Sequence, residues 1–100
     1  MLDETVIRSF GDRATEDIFH GTNSKAARGI PKKLWAIARR KLDLLNAAHV
    51  QALRVPPGNR LEALQGDRAG AFSLRVNDQY RITFRFVGED AHDVRCEDYH

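Results

Sequence analysis

The chain has 100 residues, 42% hydrophobic and 30% charged, with a formal net charge of +2. That balance describes a single domain over residues 1–100, large enough to bury a core without covalent staples. The single cysteine, Cys96, excludes an internal disulfide and points to a reducing cytoplasm; no apolar run approaches the ~20 residues of a bilayer span, and no signal-like start is present.

Val6 to Phe10 (VIRSF) alternates apolar and polar residues and predicts a short strand. Asp12 suits the cap of a following helix of roughly two turns, with Ala14, Ile18 and Phe19 packing inward and Gly21 ending it. The Gly, Asn, Ser and Pro content of Gly21 to Pro31 predicts a loop, and Pro31 suits the first turn of a second helix. On a helical wheel, Leu34, Ile37, Ala38, Leu42, Leu44, Leu45 and Ala48 fall within one half. Lys32, Lys33, Arg39, Arg40 and Asp43 fall on the other. This pattern predicts a core helix with a basic back, ending near His49. Lys41 sits inside the apolar half, where its stem can lie along the core edge while its charge reaches water.

Val55 to Asn59 (VPPGN) fits neither helix nor central strand and marks a crossover. Beyond it the apolar period becomes two. Phe72, Leu74 and Val76 alternate, Asn77 to Gln79 turn the chain, and Tyr80, Ile82, Phe84 and Phe86 alternate in the next strand. A turn at Gly88 to Asp90 leads to a last strand carrying Val94 and Cys96. Helices followed by strands predict an α+β domain: a short N-terminal strand, two helices, then an antiparallel meander sheet. With the apolar set inward, Arg81, Thr83 and Arg85 share the polar face, where Arg81 reads as an exposed charge.

Charge is unevenly spread. From Lys25 to Lys41 there are seven basic residues and no acid, and after His49 every basic residue is arginine. Arginine's rigid donor fork matches phosphate, whereas lysine is a solvated point charge. An arginine-rich codon usage would leave the same bias. The four histidines and Cys96 show no zinc spacing, so no metal ligands are assigned, and no phosphate-cradling glycine loop precedes a helix. Cys96, on an apolar strand face, reads as core. What remains is a set of arginines facing out of a sheet, beside a carboxylate, a phenol and an imidazole in Asp98-Tyr99-His100. RNA cleavage needs such groups: a base for the 2′-hydroxyl proton, an acid for the leaving 5′-oxygen, and cations for the phosphorane. Acid–base groups contribute about 10²–10⁴-fold.

Pro56 to Phe84 (PPGNRLEALQGDRAGAFSLRVNDQYRITF), followed by Glu97 to His100 (EDYH), resembles the HigB branch of the RelE-type toxins. The likeness runs from VIRSF to His100 and is strongest at Gly66-Asp67-Arg68, Arg75-Val76-Asn77, Tyr80-Arg81-Ile82 and Asp98-Tyr99-His100. The resemblance implies a RelE-like microbial RNase fold and a cytoplasmic bacterial toxin that cuts messenger RNA in the A site of the 70S ribosome, using no metal or cofactor. It implies a HigA-type helix-turn-helix antitoxin as partner, operator DNA reached only through that antitoxin, and no membrane. Asp98, Tyr99 and His100 match the family's active carboxyl-terminal triplet, and Arg81 its ligand for the scissile phosphate. Some members carry a catalytic histidine where this chain has Glu62, a weaker base unless desolvated. Gln65 stands where some relatives are basic.

These readings assign Asp98, Tyr99, His100, Arg81 and Glu62 to catalysis. Arg60, Arg68 and Arg75 are assigned to RNA, with Lys32, Lys33, Arg39 and Arg40 as a broad surface for ribosomal RNA. Glu62 also motivates an alternative, a catalytically weak or inactive ribosome-binding module controlled by an antitoxin. A third reading is a structural partner whose basic helix binds an acidic protein.

Overall fold

The computed structural model describes residues 6–47 and 60–99, in which β1 (Val6–Ile7), α1 (Arg13–His20), α2 (Trp35–Ala47), β2 (Glu62–Ala63), β3 (Ala71–Arg75), β4 (Tyr80–Val87) and β5 (Asp90–Asp98) follow in order. The expected crossover at 55–59, the end of the second helical pattern at Ala48 and His49, and His100 lie outside the described residues. The strands form one five-stranded sheet in the order β1-β5-β4-β3-β2. β2 to β5 pair antiparallel in succession, the expected meander, while β1 joins parallel to β5. β1 is shorter than the alternation at 6–10 predicts, and Phe10 returns as an isolated bridge to Val94.

Asp12 is extended and its carboxylate accepts the Thr15 amide at 2.8 Å, while Gly21, at φ 76, supplies the left-handed residue that closes α1. Ile18 is buried, with Ala14 and Phe19 packed against the core, as the sequence predicts. Thr15 and Asp17 are buried too, which an apolar pattern does not foresee. Each has a polar task. Thr15 Oγ1 accepts the amide of Cys96 at 2.8 Å. Asp17 accepts Ser24 Oγ at 2.6 Å and Arg13 Nε at 3.2 Å, and Ser24 Oγ accepts the Ala27 amide, so the loop is tied to the helix. The Ser24 hydrogen bond above all, opposed by burial and aided by Arg13, holds the Asp17 carboxyl below its ordinary 3.8.

Pro31 does not open an α-helix directly. It is extended, at ψ 126, and precedes a 3₁₀ turn, Lys32–Leu34, that runs on into α2. Trp35 Nε1 donates to the Ile30 carbonyl at 2.9 Å and fastens this start. Leu34, Ala38, Leu42 and Leu45 are buried, whereas Lys32, Lys33, Arg39, Arg40 and Asp43 are exposed, so the basic back is as the sequence predicts. Arg39 Nε also reaches the Ile18 carbonyl at 3.3 Å, placing a cation where the end of α1 is electronegative. Lys41 is half-buried; burial first, then the charges of Arg40 and Arg75, lower its pKa.

The helices pack on one sheet face, where Leu74, Ile82, Phe84, Ala91, Val94 and Cys96 join the core. Ala91 and Val94 are three apart yet both fully buried, which strict alternation forbids. The register shifts between Thr83 and Arg85, and Asp93, at φ 58, takes up the extra residue as a bulge. Ser9 holds it: its Oγ accepts the Asp93 amide at 2.8 Å and its carbonyl accepts the Val94 amide at 3.1 Å. Burial pushes the Cys96 thiol up to about 12, so it stays protonated, as a core residue does.

The outer edge of β5 is therefore satisfied in three steps, by β1, by the Phe10 bridge and by Thr15. Thr15→Val keeps the shape but leaves the buried Cys96 amide without its acceptor, at about 1–3 kcal/mol. The midpoint of a thermal melt is expected to fall by about 4–8 °C per kcal/mol, with Thr15→Ser losing less. An unchanged melt for Thr15→Val would remove this bond from the account of how α1 docks.

Candidate active site on the sheet face opposite the helices

Register decides which side chains meet on the sheet face opposite the helices. Arg81 stands across from Glu97 and Arg75, Thr83 across from Arg95 and Ser73, and Ser73 across from Glu62. Alternation places this set together and sends Ile82 and Cys96 to the core. The face is not the solvated surface that the sequence predicts. Ser73 and Thr83 are buried, and the Arg81 side chain is only 13% exposed. An exposed arginine would have contributed little to folding; this one lies packed within a polar layer.

Arg81 organises one cluster. Its Nη2 lies 2.9 Å from Glu62 Oε1 and donates to the Arg60 carbonyl at 2.8 Å, while its Cζ lies 5.4 Å from the centre of the Tyr99 ring. Its Nε is buried and has no hydrogen-bond partner among the described residues. An unpaired buried donor costs about 1–3 kcal/mol, and a guanidinium edge in that state is suited to an anionic oxygen. Arg60 meets Arg81 through its backbone, at a left-handed φ of 45. Glu62 is 58% exposed, so its carboxylate is not desolvated.

The β3–β4 turn holds the residues after β5's last pairs. Asn77 Oδ1 accepts the amides of Gln79 and Tyr80 at 2.9 and 2.7 Å, shaping the turn. The Gln79 carbonyl then accepts the Tyr99 amide at 2.6 Å, and Gln79 Nε2 donates to Asp98 Oδ2 at 2.9 Å. Tyr99 is held by its backbone; the residue is 42% exposed, and its ring lies against the Arg81 guanidinium. Asp98 pairs with Tyr80, out of step with the Arg81–Glu97 pair. It reaches the site at the strand end, where Arg68, Glu97, Asp98 and Tyr99 line an open hollow of about 250 Å³.

Arg68 organises the second cluster. The 3₁₀ turn Gly66–Arg68 brings its guanidinium to Glu97 in a two-point contact, Nη2 to Oε2 at 2.6 Å and Nη1 to Oε1 at 3.2 Å. Nη2 also reaches Thr83 Oγ1 at 3.2 Å, and Thr83 donates in turn to Glu97. Burial would raise the Glu97 carboxyl, but hydrogen bonds from Arg68 and Thr83 and the charges of Arg68 and Arg95 outweigh it, so its pKa is lowered. The hydrogen bond to Glu97 raises Arg68.

Of the residues that the sequence singles out, Arg60, Glu62, Arg68, Arg81, Asp98 and Tyr99 converge here. Arg75 is drawn into an ion pair with Asp78 of the turn. Lys32 and Lys33, in the 3₁₀ turn before α2, and Arg39 and Arg40, on α2, are exposed on the helical layer, away from this face. The sequence places Thr83 on the polar face but assigns no role to it or to Glu97, although their positions across from Ser73 and Arg81 place them at the centre. The signal for Glu97 was its two-residue spacing from Tyr99 on a strand.

Residues 8–100 match the family described as RelE-like toxin of type II toxin-antitoxin system HigB. Toxin HigB-1 of Vibrio cholerae is 42% identical over 79 residues, 78% of this chain and 81% of that protein. Endoribonuclease HigB of Proteus vulgaris is 46% identical over 41 residues, 41% of this chain and 45% of that protein. Among solved structures, a YoeB/ParE toxin from Agrobacterium tumefaciens superposes with a TM-score of 0.52 at 16% identity, covering 97% of this chain and 99% of that one. The toxin–antitoxin complex YoeB-YefM from Staphylococcus aureus gives 0.51 at 18% identity, over 97% and 95%. At these identities the structural likeness speaks for the fold.

The lowered Glu97 pKa has a sign that can be checked. Its contribution is fully present above the ordinary value of 4.5 and is lost as pH falls through the lower folded value. Glu97→Gln is therefore expected to melt below the parent at pH 6–7 and to converge on it as the medium is acidified through the lowered folded value. Melts that stay equally far apart at every pH would show that the Glu97 charge is not what holds Arg68.

Proposed function

The chain belongs to the HigB-like family of RelE-like toxins of type II toxin-antitoxin systems, and on that premise we propose that it is an endoribonuclease that cleaves messenger RNA in the ribosomal A site. Membership in such a system makes an antitoxin its partner. A HigA-type helix-turn-helix antitoxin, through which alone the toxin meets operator DNA, and a cytoplasmic setting complete the proposal. The relative from Proteus vulgaris, named an endoribonuclease, supports the activity.

The observation that carries the reading is Arg81. A guanidinium held by Glu62 and the Arg60 carbonyl, with a buried Nε that has no partner among the described residues, is set to receive a phosphate oxygen. In the reaction the 2′-oxygen bonds to phosphorus as the bond to the 5′-oxygen breaks. Arg81 steadies the charge on the non-bridging oxygens, a contribution of about 10²–10³-fold by analogy with oxyanion donors. Glu62, adjacent to Arg81, takes the 2′-hydroxyl proton; Asp98 and His100 return one to the leaving oxygen. Tyr99 stacks on a base or orients the phosphate. Arg60 and Arg68 flank the strand, and Lys32, Lys33, Arg39 and Arg40 meet ribosomal RNA through charge rather than sequence.

One observation favours a second reading. Both central arginines already hold a carboxylate, Arg81 that of Glu62 and Arg68 that of Glu97. A substrate phosphate must compete with them, as it would in a catalytically weak module that occupies the ribosome.

Arg81→Lys separates the two. It keeps the charge but loses the planar fork, so cleavage of a translated message is expected to fall about 10²–10³-fold while growth inhibition by ribosome occupancy would survive. Because the side chain is largely buried, Arg81→Ala is expected to lower stability as well, by about 1–2 kcal/mol from lost packing and the Tyr99 contact, seen as a lower melting midpoint. Near-parental cleavage by Arg81→Lys would remove Arg81 as a phosphate ligand. At the neighbouring position, Glu62→His is expected to raise message cleavage if the carboxylate serves as a poor base. A rate no higher than the parent's would leave Glu62 as the counter-ion of Arg81.

A further inference from the structure

A hollow of about 220 Å³ opens on the same sheet face, past the Arg68–Glu97 pair, where Arg68, Thr83, Arg85, Asp93, Arg95 and Glu97 contribute to its lining. Its charges are unequally satisfied. The Glu97 carboxylate is taken up by Arg68 and Thr83. Asp93 reaches Arg95 only at 3.4 Å. Arg85, exposed, has neither ion pair nor hydrogen bond among the described residues. Gly70, at φ 93, lies beside the Arg85 guanidinium; a Cβ there would lie 3.4 Å from Nη1. Three arginines against two carboxylates, one of them fully engaged, leave a surplus of positive charge centred on Arg85.

Arg85 and Arg81 share one face of β4, four residues apart, a distance of roughly 13 Å along a strand. A single-stranded nucleic acid of a few nucleotides spans that distance. We propose that the hollow at Arg85 is a second phosphate site, taking the backbone phosphate of the RNA strand a few nucleotides from the bond held at Arg81. The strand's presence rests on the ribonuclease reading of the Arg81 site, but occupancy of this hollow requires binding only and no chemistry. Arg85 supplies the free fork, and Arg95 turns to the same phosphate from its loose contact with Asp93.

The test uses 2′-O-methyl oligonucleotides, which lack the attacking hydroxyl and remain intact. Binding of a dinucleotide with one phosphate and of a hexanucleotide is measured by fluorescence anisotropy for the whole chain and for Arg85→Glu. The parent is expected to bind the hexanucleotide more tightly than the dinucleotide. Arg85→Glu is expected to shrink that advantage about tenfold and to reduce the hexanucleotide's salt slope by about 0.7, the value for one phosphate contact on a single strand. An advantage and slope equal to the parent's would overturn the proposal, as would a parent that does not prefer the longer strand. Cleavage of translated messages is scored separately. A parent that cuts nothing yet shows the Arg85-dependent advantage refutes the ribonuclease reading and leaves this site standing. A parent that cuts with no such dependence does the reverse.

Discussion

The bulge at Asp93 and Val94 is the constraint on which the rest of the site depends. β5 must bury Ala91 at its start and Val94 and Cys96 later, and these lie on opposite parities. The extra residue reconciles them, and from there onward the parity is set: Cys96 inward, Glu97 and Tyr99 outward beside Arg81. A slip by one residue would bury Glu97's charge and expose the thiol, so the register is strongly specified. Ser9 enforces it from the N-terminal segment through two hydrogen bonds, to Asp93 and Val94. The short parallel strand thus acts on the site from the far edge of the sheet, by fixing where its neighbour changes face.

The polar layer that results holds arginines by carboxylates rather than leaving them in water. Ion pairs of this kind contribute modestly to stability when partly exposed and cannot be counted as a major source of it. Their effect is geometric. A guanidinium with one edge engaged has lost most of its rotamer freedom, so a ligand arriving at the other edge meets a donor already in place. Arg81 has such an edge in its Nε, which has no partner among the described residues, whereas Arg68 has its fork closed on Glu97. The two residues look alike in the sequence and differ in this structural respect.

Much of the architecture was legible because it rests on local rules. The caps at Asp12 and Gly21, the apolar half of the second helix, and the alternation through Ile82 and Phe84 each depend on neighbours within a few positions. The convergence of Arg81, Glu62 and Tyr99 was legible only through the family resemblance. Other features depend on distant partners. β1's parallel pairing, the 3₁₀ entry into α2 and the buried roles of Thr15 and Asp17 are settled by which groups need a hydrogen bond once the chain is packed. Alternation assigns Arg81 a face but not what covers it, so its burial is not legible in the sequence. Glu97 is illegible for a similar reason: a carboxylate on a polar face gains its meaning from the strand opposite.

The burial of Cys96 behind Thr15 has a practical consequence. It is the chain's single thiol, lying against α1 on the strand that carries Glu97 and Tyr99. In the closed state its proton is held far above the ordinary 9.0, and reagents that attack thiolates have neither access nor a reactive partner. Each modification event therefore records a moment when the helical layer has opened from the sheet. The rate of thiol labelling becomes a stopwatch for that partial opening, read without any engineered probe. The same stopwatch, run with and without a bound antitoxin, would report whether the partner grips the closed protein or slows its breathing.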